Sequence, residues 1–140
     1  MMIIEQIRPQ VTWWLRRDVL YPNEQPADMA MPEDETGMHF GGFHNGRLIA
    51  VVSLFMNGKD FQFRKFAVQH EAQGKDYGKQ LLEFLVNFST GEGAQRLWCN
   101  ARESAIGFYS RFGFISKGET FERKGINYTV MEKKLMGFTY

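Results

Sequence analysis

The stretch VQHEAQGKDYGKQLLEFL, residues 68–85, changes character twice. Val68 closes the apolar run FRKFAV, which reads as a strand, while from Tyr77 the apolar residues recur at Tyr77, Leu81, Leu85 and Phe88, with Leu82 and Phe84 beside them. That spacing predicts an amphipathic helix. Between strand and helix lie Gln73, Gly74, Lys75, Asp76, Tyr77 and Gly78. A helix start presents unpaired N–H groups and a partial positive charge, so a glycine-bearing turn there suits an anion. One reading is a pyrophosphate cradle with Lys75 and Lys79 at its rim. The other is a strand-to-helix connection whose glycines relieve strain, and these residues alone leave both open. A Walker A loop is excluded, because the lysine is not followed by Ser or Thr and the glycine spacing is too short.

Working outward, Ile3 to Ile7 reads as a short edge strand. Pro9 sits well in a first helical turn, and Val11, Trp14, Leu15 and Val19 share one helical face. Residues 21–37 carry three prolines and no periodicity, which predicts a loop. Asn45-Gly46 and Asn57-Gly58 carry hairpin turn chemistry between apolar runs, so a three-stranded meander follows. Gly91 and Gly93 end the helix, RLWCN is a short buried strand, and Ala105, Phe108, Tyr109 and Phe112 stripe a further helix. Asn100 with Glu103 three places on resembles a capping box, and Gly113 sits where a left-handed residue closes a helix. Two strands about a turn near Lys124-Gly125 complete the order. Only the connections through the last two helices are long enough for a parallel crossover. The expected fold is therefore α+β: a mixed, mostly antiparallel sheet of six to seven strands with a central parallel pair, flanked by about three helices.

At 140 residues, 44% of them hydrophobic, the chain suits one domain, residues 1–140, with a real core. Seventeen Lys plus Arg against sixteen Asp plus Glu leave a formal charge of +1, so nothing in the total implies affinity for nucleic acid or a membrane. No apolar run approaches a membrane span, and the lone Cys99 suits a reducing, cytoplasmic setting. His39, His44 and His70 are not spaced as metal ligands, so no metal is expected.

The strand FRKFAV, Gln73 and Gly78 before the helix, Asn100-Ala101 ending the next strand, and Phe108-Tyr109 followed by Gly113-Phe114 occur in an order and spacing that resemble the Gcn5-related N-acetyltransferase (GNAT) superfamily. The resemblance covers about residues 60–135. One departure is Asp76, which stands where the family usually has a glycine.

The resemblance implies transfer of the acetyl group of acetyl-coenzyme A (acetyl-CoA) to a primary amine, by direct attack in a ternary complex. It implies coenzyme contacts from Phe66, Ala67 and Val68 on the strand and from Gln73, Gly74, Lys75, Asp76, Tyr77, Gly78 and Lys79 at the helix mouth. Asn100 and Tyr109 complete that set. The thioester arm is expected between the splayed parallel strands near Val68 and Asn100. The Val68 N–H is the expected oxyanion donor, and Tyr109 the acid for the leaving thiolate. Asn100 also reads as a helix cap, and Tyr109 also reads as a core aromatic. Glu24, Asp28, Glu33, Asp34 and Glu35 form either an acidic rim for a cationic amine or a solvated loop. A water relayed to a carboxylate, or His39, is available as base. A non-catalytic acyl-CoA-binding module with the same fold is the rival reading, and a homodimer is compatible with either.

Overall fold

In the computed structural model, which describes residues 1–136, seven strands and three α-helices follow in the order β1 (Ile3–Ile7), α1 (Pro9–Leu15), β2 (Met38–His44), β3 (Arg47–Asn57), β4 (Asp60–Val68), α2 (Tyr77–Gly91), β5 (Arg96–Arg102), α3 (Ile106–Arg111), β6 (Ile115–Arg123) and β7 (Ile126–Lys134). The strands form one mixed sheet in the order β1-β2-β3-β4-β5-β7-β6. β4 and β5 are its parallel pair, as the long connection through α2 requires. The chain divides into two compact units, one comprising Met1–Phe55 with Phe63–Asn87, the other Met56–Gln62 with the chain from Phe88 on. Strand β4 and helix α2 each contribute to both.

In the first unit, Asn45 and Gly46 both take positive φ, 51° and 78°, which gives the β2–β3 hairpin the tight turn whose twist matches its strands. Val51, Val52 and Leu54 of β3 and Leu81, Leu82 and Leu85 of α2 are wholly buried. Removing one such leucine from water contributes about 1.5–3 kcal/mol. Phe40 meets Phe84 edge-on at 5.0 Å, seating the helix on β2. Pro9 opens α1, which runs on into a π-helical segment, Arg16–Leu20, and Leu15 packs with Val51 and Ala67. Trp14 is 62% exposed, so the aromatic pair at 13–14 is not wholly core.

Residues 21–37 are more ordered than their lack of periodicity suggests. Pro26 and Pro32 each open a 3-10 turn, Pro26–Met29 and Pro32–Thr36. Asp28 and Asp34 then each accept the N–H of the residue three places before them, at 3.1 and 3.0 Å. A proline supplies the first φ and an aspartate satisfies the orphan donor.

In the second unit, three parallel pairs join β4 to β5, and the pairing ends at Gln62 and Trp98. β5 continues beside β7 as far as Arg102. Glu132 of β7 is buried and accepts from Arg96 Nε at 2.8 Å, with Lys117 Nζ at 3.5 Å. The Arg96 hydrogen bond outweighs burial and holds the Glu132 carboxyl below the usual range. Asn100 lies inside β5 opposite Val130, so it does not cap the following helix. The residue before α3 is Ala105, which has no side chain able to cap. Glu103 instead accepts a hydrogen bond from Asn127 Nδ2 at 3.3 Å.

Candidate active site

The first unit holds the strand end and the helix mouth. Lys65 takes a φ of 56°, a left-handed kink inside β4 directly before residues 66–68. Ala67 is buried, while Phe66 and Val68 are half-buried. The Gln69 N–H reaches back to the Ile49 carbonyl of β3 at 2.8 Å. Since successive N–H groups of an extended chain point to opposite sides, the Val68 N–H is directed away from β3. The Val68 carbonyl accepts from Gln73 Nε2 at 2.9 Å, so one side chain ties strand end to loop.

Residues 73–78 turn into α2 through two left-handed positions, Gly74 at φ 77° and Asp76 at φ 67°. The Gln80 N–H bonds the Asp76 carbonyl at 3.0 Å, closing the first turn and making Asp76 the cap residue. Backbone N–H groups from Gly74 through Lys79 have no acceptor among the described residues. These are the orphan donors of a helix start. Lys75 and Lys79 are exposed beside them, and a Cβ at Gly74 would meet nothing within 4 Å. The donor set therefore suits phosphate oxygens, and the surroundings leave room for them. Asp76 opposes this. Its carboxylate is exposed and makes no hydrogen bond or ion pair among the described residues, so it supports the turn with its backbone only.

Tyr77 also leans on His44, ring centroids 5.5 Å apart. Both line a cleft of about 230 Å³ that includes Arg47, Gln69 and Lys75.

The second unit holds Asn100 and Tyr109. Asn100 is exposed on β5. Tyr109 is buried on α3 against Phe108 and Phe114, at 5.4 and 5.9 Å between centroids. Burial, with the nearby Cys99, raises its hydroxyl well above the ordinary tyrosine pKa. Burial alone pushes the Cys99 thiol up to about 12. Tyr109 thus keeps its proton at neutral pH, as a proton donor must, and Cys99 is a small buried apolar residue.

The sequence had offered His39 and the acids of residues 21–37 as candidate bases. His39 is 2% exposed, with Nδ1 2.7 Å from Ser53 Oγ and Nε2 2.8 Å from the Asp34 carbonyl oxygen. A carbonyl only accepts, so Nε2 carries the proton and Nδ1 accepts from the Ser53 hydroxyl. Both nitrogens are engaged within the protein. Arg16, wholly buried, is its centre: it donates to both Asp34 carboxylate oxygens at 2.9 Å, to Ser53 Oγ at 2.9 Å and to the Met29 carbonyl at 2.8 Å. Although burial opposes ionisation, the Arg16 and Met31 hydrogen bonds hold the Asp34 carboxyl below its ordinary value. Glu33 is occupied by Arg64 at 3.3 Å. Two of the five acids are therefore paired with arginines, and Asp28 is a local cap, while Glu24, Asp28 and Glu35 have no ion pair among the described residues. Among the described residues no group of three or more His, Cys, Asp or Glu could hold a metal ion, and no helix is long and apolar enough to cross a membrane.

A glycine-bearing strand-to-helix turn of free N–H groups and, among the described residues, a parallel pair of three residue pairs within a mixed sheet agree with the acetyltransferase of the GNAT class expected from the sequence. A family model for the acetyltransferase (GNAT) domain matches residues 17–135, and the chain belongs to that family. It is 28% identical over 145 residues to the uncharacterized N-acetyltransferase YitI of Bacillus subtilis (strain 168), covering 96% of this chain and 97% of that protein. In fold it is similar to Escherichia coli ElaA, with a TM-score of 0.80 at 19% identity over 96% of this chain and all of that one. It is also similar to a GNAT family acetyltransferase from Elizabethkingia anophelis solved with acetyl-CoA bound, with a TM-score of 0.75 at 16% identity over 96% and 98% of the two chains.

Proposed function

We propose that the chain, acting as one acetyltransferase domain over residues 1–140, moves the acetyl group of acetyl-CoA onto a primary amine by direct attack in a ternary complex. The observation that carries this reading is the row of unpaired N–H groups from Gly74 through Lys79 at the mouth of α2. They bind the pyrophosphate, with Lys75 and Lys79 adding positive charge and Gln73 fixing the loop to Val68. Residues 66–68 pair with the pantetheine amides as an added strand would.

The amine nitrogen attacks the thioester carbonyl carbon. Negative charge then builds on the carbonyl oxygen, where the Val68 N–H donates; one such donor is worth about 3–4 kcal/mol. As the C–S bond breaks, Tyr109 gives its proton to the sulfur, a step worth roughly 10²–10⁴-fold in rate. The amine's proton leaves to water, and a proton from water restores the Tyr109 hydroxyl for the next turnover. Asn100 contacts the coenzyme near the sulfur-bearing arm.

The test is release of free thiol when acetyl-CoA meets a panel of primary amines. Appearance of thiol with matching acetylated amine supports the reading. If no amine gives thiol although acetyl-CoA raises Tm, the non-catalytic acyl-CoA-binding reading replaces it. A ligand at 100 times its Kd stabilises by about 2.7 kcal/mol, a shift of several degrees.

A further inference from the structure

Lys65 is a half-buried cation for which the transfer reaction above has no use. It occupies the left-handed kink of β4, φ 56°, a conformation that costs a non-glycine residue roughly 1–2 kcal/mol. Its Nζ donates to the Tyr21 hydroxyl at 2.8 Å and stands 4.6 Å from that ring's centroid. Both contacts orient the ammonium and neither neutralises it.

The neighbouring ions do not neutralise it either. Asp34 is taken by Arg16 and Glu33 by Arg64. Among the described residues Lys65 has no carboxylate partner. Burial holds its pKa below the usual lysine range, the Tyr21 hydroxyl offsets part of this, and the like charges of Arg64 and Arg16 push it further down. Three cations against two carboxylates leave one positive charge over, and it is the one on Lys65. A partly buried charge without a counter-ion is unfavourable. Such a group becomes useful when an anion arrives.

Which substrate brings the anion follows from place. The coenzyme's phosphates belong at residues 74–79, whereas Lys65 immediately precedes the stretch assigned to the pantetheine and the reacting carbonyl. The acetyl end of the coenzyme carries no negative charge, so the acceptor must. We infer that the acceptor amine also carries a carboxylate, and that Lys65, aimed by the Tyr21 hydroxyl, binds it. This rests on the acetyl-transfer reading and narrows its substrate class to amino-acid-like amines. It also reverses the attraction for a purely cationic amine that the acids of residues 21–37 suggested.

The experiment compares amino acids with their own carboxamides as acceptors, in the wild type and in Lys65→Met and Lys65→Arg. Expected are a KM at least tenfold lower for the carboxylate member with kcat within a few-fold, loss of that ratio in Lys65→Met, and partial retention in Lys65→Arg. Tm without substrate should be equal or higher in Lys65→Met, since an unpaired charge has gone. An equal KM for acid and amide in the wild type overturns the inference. So does a Lys65→Met variant that keeps the ratio, or one whose Tm falls by more than a few degrees, which would make Lys65 a structural residue. A phosphate-bearing amine preferred over the carboxylate also overturns it. If no amine is acetylated at all, the transfer reading fails separately. Calorimetric binding of the same acid and amide pairs to the CoA-loaded protein still decides the role of Lys65.

Discussion

Replacing Asp76 by glycine separates what this residue does for the turn from what it does to an anion. In the free protein three small effects meet. Glycine relieves the left-handed φ of 67°, roughly 1 kcal/mol. It adds about 0.5–1 kcal/mol of unfolded-state entropy, and it removes an acid at a helix start worth about 0.3–1 kcal/mol. These nearly cancel, so Tm should move by no more than a few degrees. Coenzyme binding has no such cancellation. A carboxylate about 6 Å from one phosphate charge is repelled by about 0.7 kcal/mol at a dielectric of 80 and about 3 kcal/mol at 20. For an exposed side chain the lower end applies, and about 1 kcal/mol for each of two phosphates predicts acetyl-CoA binding tighter by roughly tenfold or more. Titration calorimetry at low and at 0.5 M salt measures it, and the gain should shrink at high salt because the Debye length there, about 4 Å, is shorter than the separation of the charges. Asp76→Asn keeps the side chain's tolerance of the left-handed region and should recover most of the gain. An unchanged or weaker affinity at low salt, with Tm lowered, refutes the phosphate cradle as placed.

Tyr109→Phe keeps the ring against Phe108 and Phe114 and removes only the proton, so thiol release should slow at least tenfold while the Kd for acetyl-CoA changes less than threefold; full rate would return Tyr109 to a packing role. Asp34→Asn leaves Arg16 buried without its charge partner and should cost about 3–5 kcal/mol in urea denaturation. The same pair sets an acid limb. Because the folded Asp34 carboxyl is held below its ordinary 3.8, its contribution is complete above about pH 4–5 and is lost as pH falls through the folded value. That limb should be weaker in Asp34→Asn.

The fold was legible wherever periodicity and turn chemistry agreed. Asn45-Gly46 and Lys124-Gly125 took the positive φ their turns require, and the stripe from Tyr77 to Phe88 became α2. The helix mouth was legible too, and its geometry explains why a glycine suits position 76: the chain is left-handed there. Asn100 misled because its spacing to Glu103 fits a helix start, yet the pull of the β7 ladder keeps it in strand. The 3-10 turns escaped because they are too short to show a period. The repeated pattern of proline followed two places later by aspartate, Pro26 to Asp28 and Pro32 to Asp34, was their available signal. The Arg16 network could not be read at all, since Arg16 lies 18 residues from Asp34 and 37 from Ser53, and Arg, Asp and Ser usually sit at surfaces.

That network bears on how this chain can change over time. A segment tied to the core by a buried arginine cannot drift freely as a surface loop does. Substitutions at Met29, Asp34 or His39, which the network holds, draw on the few kcal/mol that separate folded from unfolded protein. Exposed positions that no buried ion pair holds, such as Trp14, can change without that cost.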